Sequence, residues 1–198
     1  MSSNRYIRAT AKPSNERNKN DSYITPYSMI QQLLDAEDLD KNATILEPCC
    51  SQHRSIPKVL IKNGFNNITE NIYEETNKSF LDFDENIQYD YIISNTPYGN
   101  KNFIDFVNKA KTIARKKIIL LYPLNCLNGI ERYNKIYKDT DYPLSKLYQF
   151  VRFPMLTDSI REDGTYSTGM SIYAWFIWDK EHTGDIILRQ IDNNKYCK

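Results

Sequence analysis

Strand-like and helix-like segments alternate through the first two thirds of this 198-residue chain. The strand-like segments are residues 43–48, 68–73, 89–94 and 117–122, and the helix-like segments are residues 27–37, 55–63 and 103–114. Strands separated by helices run parallel, and apolar strands such as residues 117–122 (KIILLY) need cover on both faces. The pattern therefore predicts an α/β fold with helices on both faces of a parallel sheet.

The last third of the chain differs. Residues 147–152 and 171–178 are two β-rich runs, and a polar loop of residues 153–170 joins them. Two such runs predict a β-hairpin that closes one edge of the sheet. Long loops on α/β scaffolds are often functional, so we expect the loop to contribute to a site.

Composition limits the class of protein. The formal net charge of +1 excludes a strongly basic nucleic-acid coat, and no apolar run approaches the roughly 20 residues of a membrane span. Residues 1–20 predict a flexible basic arm without a secretory signal, and residues 21–198 predict a single domain. The four cysteines lack the spacing of a disulfide framework, which indicates a reducing cytoplasm. Cys49, Cys50 and His53 lack the spacing of a metal site, so we expect no bound metal.

Two strand ends carry unusual residues. The first reads Glu47-Pro48-Cys49-Cys50, and the second reads Asn95-Thr96-Pro97-Tyr98. Ligands of open parallel sheets bind outside the carboxyl ends of the strands. We therefore expect Glu47 and Asn95 to open into one cleft.

These motifs resemble S-adenosylmethionine-dependent DNA adenine-N6 methyltransferases, and most closely the small phage-type enzymes. The resemblance covers residues 21 to 192 and includes Tyr23-Ile24-Thr25-Pro26, Arg161-Glu162-Asp163-Gly164, Thr168-Gly169-Met170 and Tyr173-Ala174-Trp175. It implies a Rossmann-like class I methyltransferase fold with a mostly parallel seven-stranded sheet. It also implies S-adenosyl-L-methionine as cofactor, DNA as partner, and the cytoplasm (of the host, for a phage protein) as location.

The resemblance makes Asn95, Thr96, Pro97 and Tyr98 the catalytic residues. The Asn95 side-chain oxygen and the Thr96 carbonyl would accept hydrogen bonds from the adenine amino group, and Pro97 would stiffen the turn. Most of the family has proline in place of Thr96, so we expect only its carbonyl to be used. Tyr98 would stack on a base flipped out of the duplex. Phe153 is a candidate for the opposite ring of that stack, and a core position explains it equally well.

The cofactor-binding set implied by the resemblance departs from the family in several places. The expected residues are Tyr23, Thr25, Pro26, Glu47, Pro48, Cys49, Ser51, Asn71 and Asn95. Ser51 and His53 stand where the family has the glycines of a Gly-x-Gly turn. Asn71 replaces the acid that holds the ribose, with Glu74 and Glu75 close by. A third acidic position, just before Phe80, is Ser79. We therefore expect S-adenosylmethionine to bind weakly.

Two other functions remain open. The same turn also suits an enzyme that methylates RNA adenine or a protein glutamine. The missing glycines favour a non-catalytic protein that binds nucleic acid or a protein partner. Target recognition by an enzyme this small would be short or supplied by a partner. Local basic residues are the candidates for nucleic-acid contact: Lys109, Lys111, Arg115, Lys116 and Lys117.

Overall fold

The computed structural model describes residues 25–97, 100–151 and 172–192, with the backbone alone for residues 100–102. The helices are α1 (Tyr27–Ala36), α2 (Ser55–Lys62), α3 (Tyr73–Thr76), α4 (Asn100–Ile113) and α5 (Ile130–Arg132), and a π-helical turn continues α5 over Tyr133–Tyr137. Short 3-10 turns span Phe80–Asp82 and Leu124–Leu127. The strands are β1 (Ile45–Glu47), β2 (Ile68–Glu70), β3 (Tyr89–Ser94), β4 (Ala114–Pro123), β5 (Leu144–Phe150), β6 (Tyr173–Asp179) and β7 (Ile187–Ile191).

All seven strands form one sheet in the order β2-β1-β3-β4-β6-β5-β7. Strands β1 to β4 are mutually parallel, and only β6 runs against its neighbours β4 and β5. The mostly parallel seven-stranded sheet is therefore confirmed. The hairpin of β5 and β6 is present, but β7 pairs in parallel with the outer side of β5. The hairpin thus does not close the edge of the sheet, because a strand that the sequence did not predict lies beyond it.

Alternating side chains of the central strands pack into two hydrophobic cores, one on each face of the sheet. Ile93 and Ile119 face the core under α1 and α2, whereas Ile92 and Ile118 face the core under α4. Trp175 and Trp178 are both fully buried, one in each core, as expected for an apolar strand covered on both sides. Helices therefore cover both faces of the sheet, and the ends of its strands remain available to form a site.

The predicted basic patch does not form a free cationic surface. Each of its side chains contacts an acid, in the pairs Lys109–Glu85, Lys111–Asp139, Arg115–Asp90, Lys116–Asp90 and Lys117–Glu37. These residues lie at the end of α4 and the start of β4, which is the edge of the sheet opposite the carboxyl ends of the parallel strands. None of the described helices is long and apolar enough to cross a membrane.

Candidate functional site

The carboxyl ends of β1 and β3 meet in one cavity. The two strands are parallel neighbours, with Ile45 opposite Tyr91 and Leu46 opposite Ile92, so Glu47 and Asn95 leave the sheet at the same edge. A cavity of about 370 Å³ lies there, and both side chains line it. The predicted common cleft is confirmed. Its volume falls within the range of small-molecule sites, roughly 300–1,000 Å³.

Glu47 is a buried carboxyl group that is only partly satisfied by the protein. Its side chain is 1% exposed, and Oε1 accepts hydrogen bonds from the Ser94 hydroxyl at 2.6 Å and from the Cys49 N–H at 3.1 Å. Among the described residues, nothing bonds to Oε2, which is also buried. Burial raises the pKa of Glu47 to about 8, although the bonds from Ser94 and Cys49 oppose that rise. Glu47 therefore presents a polar atom that a ligand donor can satisfy.

Asn95 is tied to the segment that precedes α1. Its Nδ2 donates to the Thr25 hydroxyl at 2.9 Å, and Thr25 also lines the cavity. Because the nitrogen end of the amide faces Thr25, an acceptor role for this side chain falls to Oδ1. Pro26 is half-buried, starts α1 through the bond from Met29 N–H to its carbonyl, and is not among the described lining residues. Of the two described residues of the Tyr23–Pro26 motif, Thr25 therefore lines the cavity and Pro26 does not.

Thr96 has a side-chain role that the sequence did not predict. Its side chain is buried, and its hydroxyl forms a hydrogen bond with the Tyr122 hydroxyl at the end of β4. Burial raises the pKa of Tyr122, so this phenol stays protonated. Pro97 is exposed and lines the cavity. The turn after β3 is thus anchored to the segment before α1 through Asn95 and to β4 through Thr96.

We expect replacement of Thr96 by proline to destabilise the protein, contrary to the expectation that only its carbonyl matters. The change removes a buried hydrogen bond, which costs about 1–3 kcal/mol. Thr96→Ser keeps the hydroxyl and is expected to retain most of that stability. Urea unfolding of the two variants checks this. Equal stability of Thr96→Pro and the parent would mean that the Tyr122 contact contributes nothing.

The loop after β1 departs from the expected geometry. Pro48, Cys49 and Ser51 line the cavity, whereas His53 is exposed and is not among the described lining residues. The left-handed backbone conformation falls on Arg54 (φ 52°) and not on Ser51 or His53. The Arg54 guanidinium pairs with Glu70 at the end of β2. Neither Ser51 nor His53 has a positive φ, so the backbone of this loop does not require glycine at either position.

Asn71 lines the cavity, but its side chain is occupied by the protein. Nδ2 donates to the carbonyls of Pro48 at 3.1 Å and Lys78 at 3.0 Å, and Oδ1 accepts from the Thr76 hydroxyl at 2.7 Å. These bonds join the loop after β1 to the segment after β2. Glu74, on α3, also lines the cavity and is exposed. Glu74 is therefore better placed than Asn71 to bind ligand hydroxyl groups.

One wall of the cavity is apolar. The residues that form this wall are Ile56, Pro57, Phe80, Leu81 and Phe106. The ring centroids of Phe80 and Phe106 lie 4.5 Å apart. Sequence reasoning did not assign this wall, because its members come from α2, the 3-10 turn and α4. Ser79, at the expected acidic position, accepts from Leu81 N–H and so caps the 3-10 turn. The wall provides a surface against which a flat ring can pack.

A further polar atom near the ligand space was also missed. Ser55 opens α2, lines the cavity and has a buried hydroxyl that bonds to none of the described residues. Among the described parts of the chain, no group of His, Cys, Asp and Glu is arranged to hold a metal ion. Tyr23, Tyr98 and Phe153 lie outside the described residues, as do the arm of residues 1–20 and the motifs at residues 161–164 and 168–170.

Comparison with known proteins places the fold. The methyltransferase subunit of the type I restriction-modification system from Streptococcus thermophilus superposes with a TM-score of 0.57 at 12% identity, over 85% of this chain and 47% of that one. A chain of a type I restriction-modification system superposes with a TM-score of 0.51 at 11% identity, over 84% of this chain and 44% of that one. Magnesium protoporphyrin IX methyltransferase from Synechocystis PCC 6803 with bound S-adenosylmethionine superposes with a TM-score of 0.50 at 12% identity. The match covers 78% of this chain and 77% of that one.

The fold is therefore the Rossmann-like fold of class I S-adenosylmethionine-dependent methyltransferases, as predicted. The chain spans a little under half the length of the two restriction-modification chains. No protein-family model matches the sequence, and no curated protein sequence matches it. The likeness thus lies in the fold, and a fold of this kind does not by itself define a function.

Proposed function

We propose that this protein binds S-adenosylmethionine and transfers its methyl group to the exocyclic amino group of adenine in DNA. The observation that carries the proposal is the shared cavity of Glu47 and Asn95 at adjacent strand ends. The resemblance in sequence and the likeness to a restriction-modification methyltransferase subunit support the same choice.

The cavity fits the cofactor in three respects. The unpartnered Oε2 of Glu47 and the hydroxyl of Ser55 are suited to its polar groups. Glu74 is suited to the ribose hydroxyls, and the wall of Phe80 and Phe106 is suited to the adenine ring. S-adenosylmethionine, when bound, supplies a methyl group made electrophilic by a positively charged sulfur.

The chain's own contribution to catalysis would be orientation. The amino nitrogen of adenine is a poor nucleophile, because its lone pair is delocalised into the ring. Acceptors at Asn95 Oδ1 and the Thr96 carbonyl would hold both amino hydrogens and favour a pyramidal nitrogen. The bonds from Asn95 to Thr25 and from Thr96 to Tyr122 would keep those acceptors in place. Tyr98 would stack on the flipped base.

A non-catalytic protein is now the weaker alternative. Its support in the sequence was the absence of glycine at Ser51 and His53, and the structure puts the left-handed residue of this loop at Arg54 instead. The buried Oε2 of Glu47 has no hydrogen-bond partner among the described residues, and an unsatisfied buried polar atom is unfavourable to retain without a ligand. A protein that never binds the cofactor would have no interaction that offsets the free-energy cost of this buried group.

Methyl transfer from labelled S-adenosylmethionine identifies the acceptor. The protein is incubated separately with double-stranded DNA, single-stranded DNA, RNA and protein, and each is digested to identify the modified group. We expect label in N6-methyladenine from DNA. Label only in RNA or in protein glutamine would support methyl transfer but would show that the acceptor is not DNA. No label in any acceptor, with no cofactor binding, would leave the non-catalytic alternative.

A further inference from the structure

Ser94 is a fully buried polar residue directly before Asn95. It is the last residue of β3, and Glu47 is the last residue of the neighbouring parallel strand β1. The Ser94 hydroxyl donates to Glu47 Oε1 at 2.6 Å, a length typical of a bond to an ionised carboxylate. Most side-chain hydrogen bonds of this kind go to the backbone, as that of the buried Ser145 goes to the Ile177 carbonyl at 2.8 Å. Ser94 instead contacts the carboxyl group of the candidate cofactor site.

The two oxygens of the Glu47 carboxyl group have different roles. Oε1 accepts from the Cys49 N–H at 3.1 Å as well as from Ser94, so two donors occupy this oxygen and fix the carboxyl plane. Oε2 is buried and bonds to none of the described residues, and the Glu47 side chain lines the cavity. The bond from Ser94 therefore helps to leave Oε2 as the oxygen that a ligand donor can reach.

We propose that Ser94 is a positioning residue for the cofactor, and that its hydroxyl holds Glu47 Oε1 so that an ionised Oε2 accepts a hydrogen bond from S-adenosylmethionine. The proposal rests on the proposed function, because it takes S-adenosylmethionine as the ligand of the cavity. Burial raises the pKa of Glu47, and the bond from Ser94 opposes that rise because it favours the charged form. Removal of the hydroxyl therefore raises the pKa of Glu47 further, and the ionised carboxyl that the ligand needs forms only at higher pH.

Other ionisable groups also face Glu47, and the parent and the serine variants share all of them. Glu70, at the end of β2, raises the pKa of Glu47 by charge repulsion, and Glu70 is itself paired with Arg54. Burial raises the pKa of the Cys49 and Cys50 thiols, so both stay neutral. The other ionisable side chains on the described walls of the cavity are Tyr73, Glu74 and Lys78. Because these groups are common to all variants, the ratio of two affinities at one pH isolates the effect of the serine.

The pH profile of ligand affinity in Ser94→Ala tests the proposal. The parent and the variant are titrated calorimetrically with S-adenosylhomocysteine, which lacks the transferred methyl group, at several pH values below and above about 8. We expect Ser94→Ala to bind about tenfold or more weakly below about pH 8, because loss of a hydrogen bond to a charged group shifts a pKa by about one unit or more. The affinity ratio should fall toward one at higher pH, where Glu47 is ionised in both proteins.

Two further variants separate positioning from a purely structural role. Ser145→Ala also removes a buried serine hydroxyl, so we expect it to lower stability in urea and to keep parental affinity at every pH. Ser94→Thr keeps the hydroxyl and is expected to keep the parental pH profile. An affinity ratio of parent to Ser94→Ala that is constant with pH would overturn the proposal and leave the proposed function standing. No binding to the parent at any pH would contradict cofactor binding itself, and the role of Ser94 with it.

Discussion

Asn95→Ala is expected to lower the rate of methyl transfer to adenine by about 10²–10³, because one oriented acceptor of the transition state is lost. Cofactor affinity is expected to stay within a few-fold of the parent, since Glu47 and the apolar wall remain. Labelled transfer under single-turnover conditions and a separate cofactor titration measure the two effects. Asn66→Ala, an exposed asparagine after α2, is the matched control and should have parental activity.

Asn95 also anchors the turn, so a second variant is needed to separate the two roles. Thr25→Val removes the hydrogen bond to Asn95 Nδ2 and leaves the Asn95 oxygen in the protein. If Asn95 is an acceptor, Thr25→Val should lose much less activity than Asn95→Ala. Equal losses in the two variants would mean that Asn95 acts only by holding the turn. Full activity of Asn95→Ala would remove the central residue of the proposed reaction.

Glu37→Ala is expected to destabilise the protein by about 3–5 kcal/mol, because it breaks a buried ion pair, leaves Lys146 without its carboxylate and leaves Lys117 with Asp179 alone. Glu37 is 3% exposed and accepts hydrogen bonds from Lys117, Lys146 and Tyr148. These bonds join the end of α1 to β4 and β5. Urea unfolding measures the loss. Glu131→Ala, which breaks an exposed pair with Lys135, should cause no measurable change.

The same cluster predicts a pH dependence. Burial alone would raise the pKa of Glu37, but the bonds from the two lysines and Tyr148 outweigh it, and the pKa is lowered from 4.5. A carboxyl group with a lowered pKa stabilises the fold fully above its unfolded pKa and loses that contribution as pH falls through the folded value. The stability gap between the parent and Glu37→Gln should therefore shrink below about pH 4.5. A gap that is constant with pH would contradict the charged cluster.

The sequence predicted those elements whose burial follows a period. Residues 89–94 were predicted to the residue, and α1 and α2 to within one residue, because their apolar side chains recur at strand or helix spacing. β7 was missed for the opposite reason. Four of its five side chains are exposed, so backbone pairing with β5 sets this strand and leaves no burial pattern in the sequence.

The site was predictable in position and less so in contacts. A strand end that carries Glu47 and another that carries Asn95 follow from local sequence. The bond between Glu47 and Ser94 joins residues 47 positions apart, and no spacing rule reveals it. Asn71 was assigned to the ligand from its position after β2, yet its amide is bonded to the neighbouring loops. Position along a strand does not distinguish a side chain that faces a ligand from one that ties loops together.

Glu47 gives the most direct measurement of the central claim, which is that S-adenosylmethionine binds in the cavity of Glu47 and Asn95. Calorimetric titration of the parent and Glu47→Gln with S-adenosylmethionine above about pH 8, where Glu47 is ionised, should show binding to the parent and about ten- to hundredfold weaker binding to the variant, the cost of losing a hydrogen bond to a charged group. Because the pKa of Glu47 is raised to about 8, the affinity ratio of parent to variant should grow as pH rises toward about 8 and then level off. Equal affinities of the two proteins at every pH, or no binding to the parent, would contradict the claim.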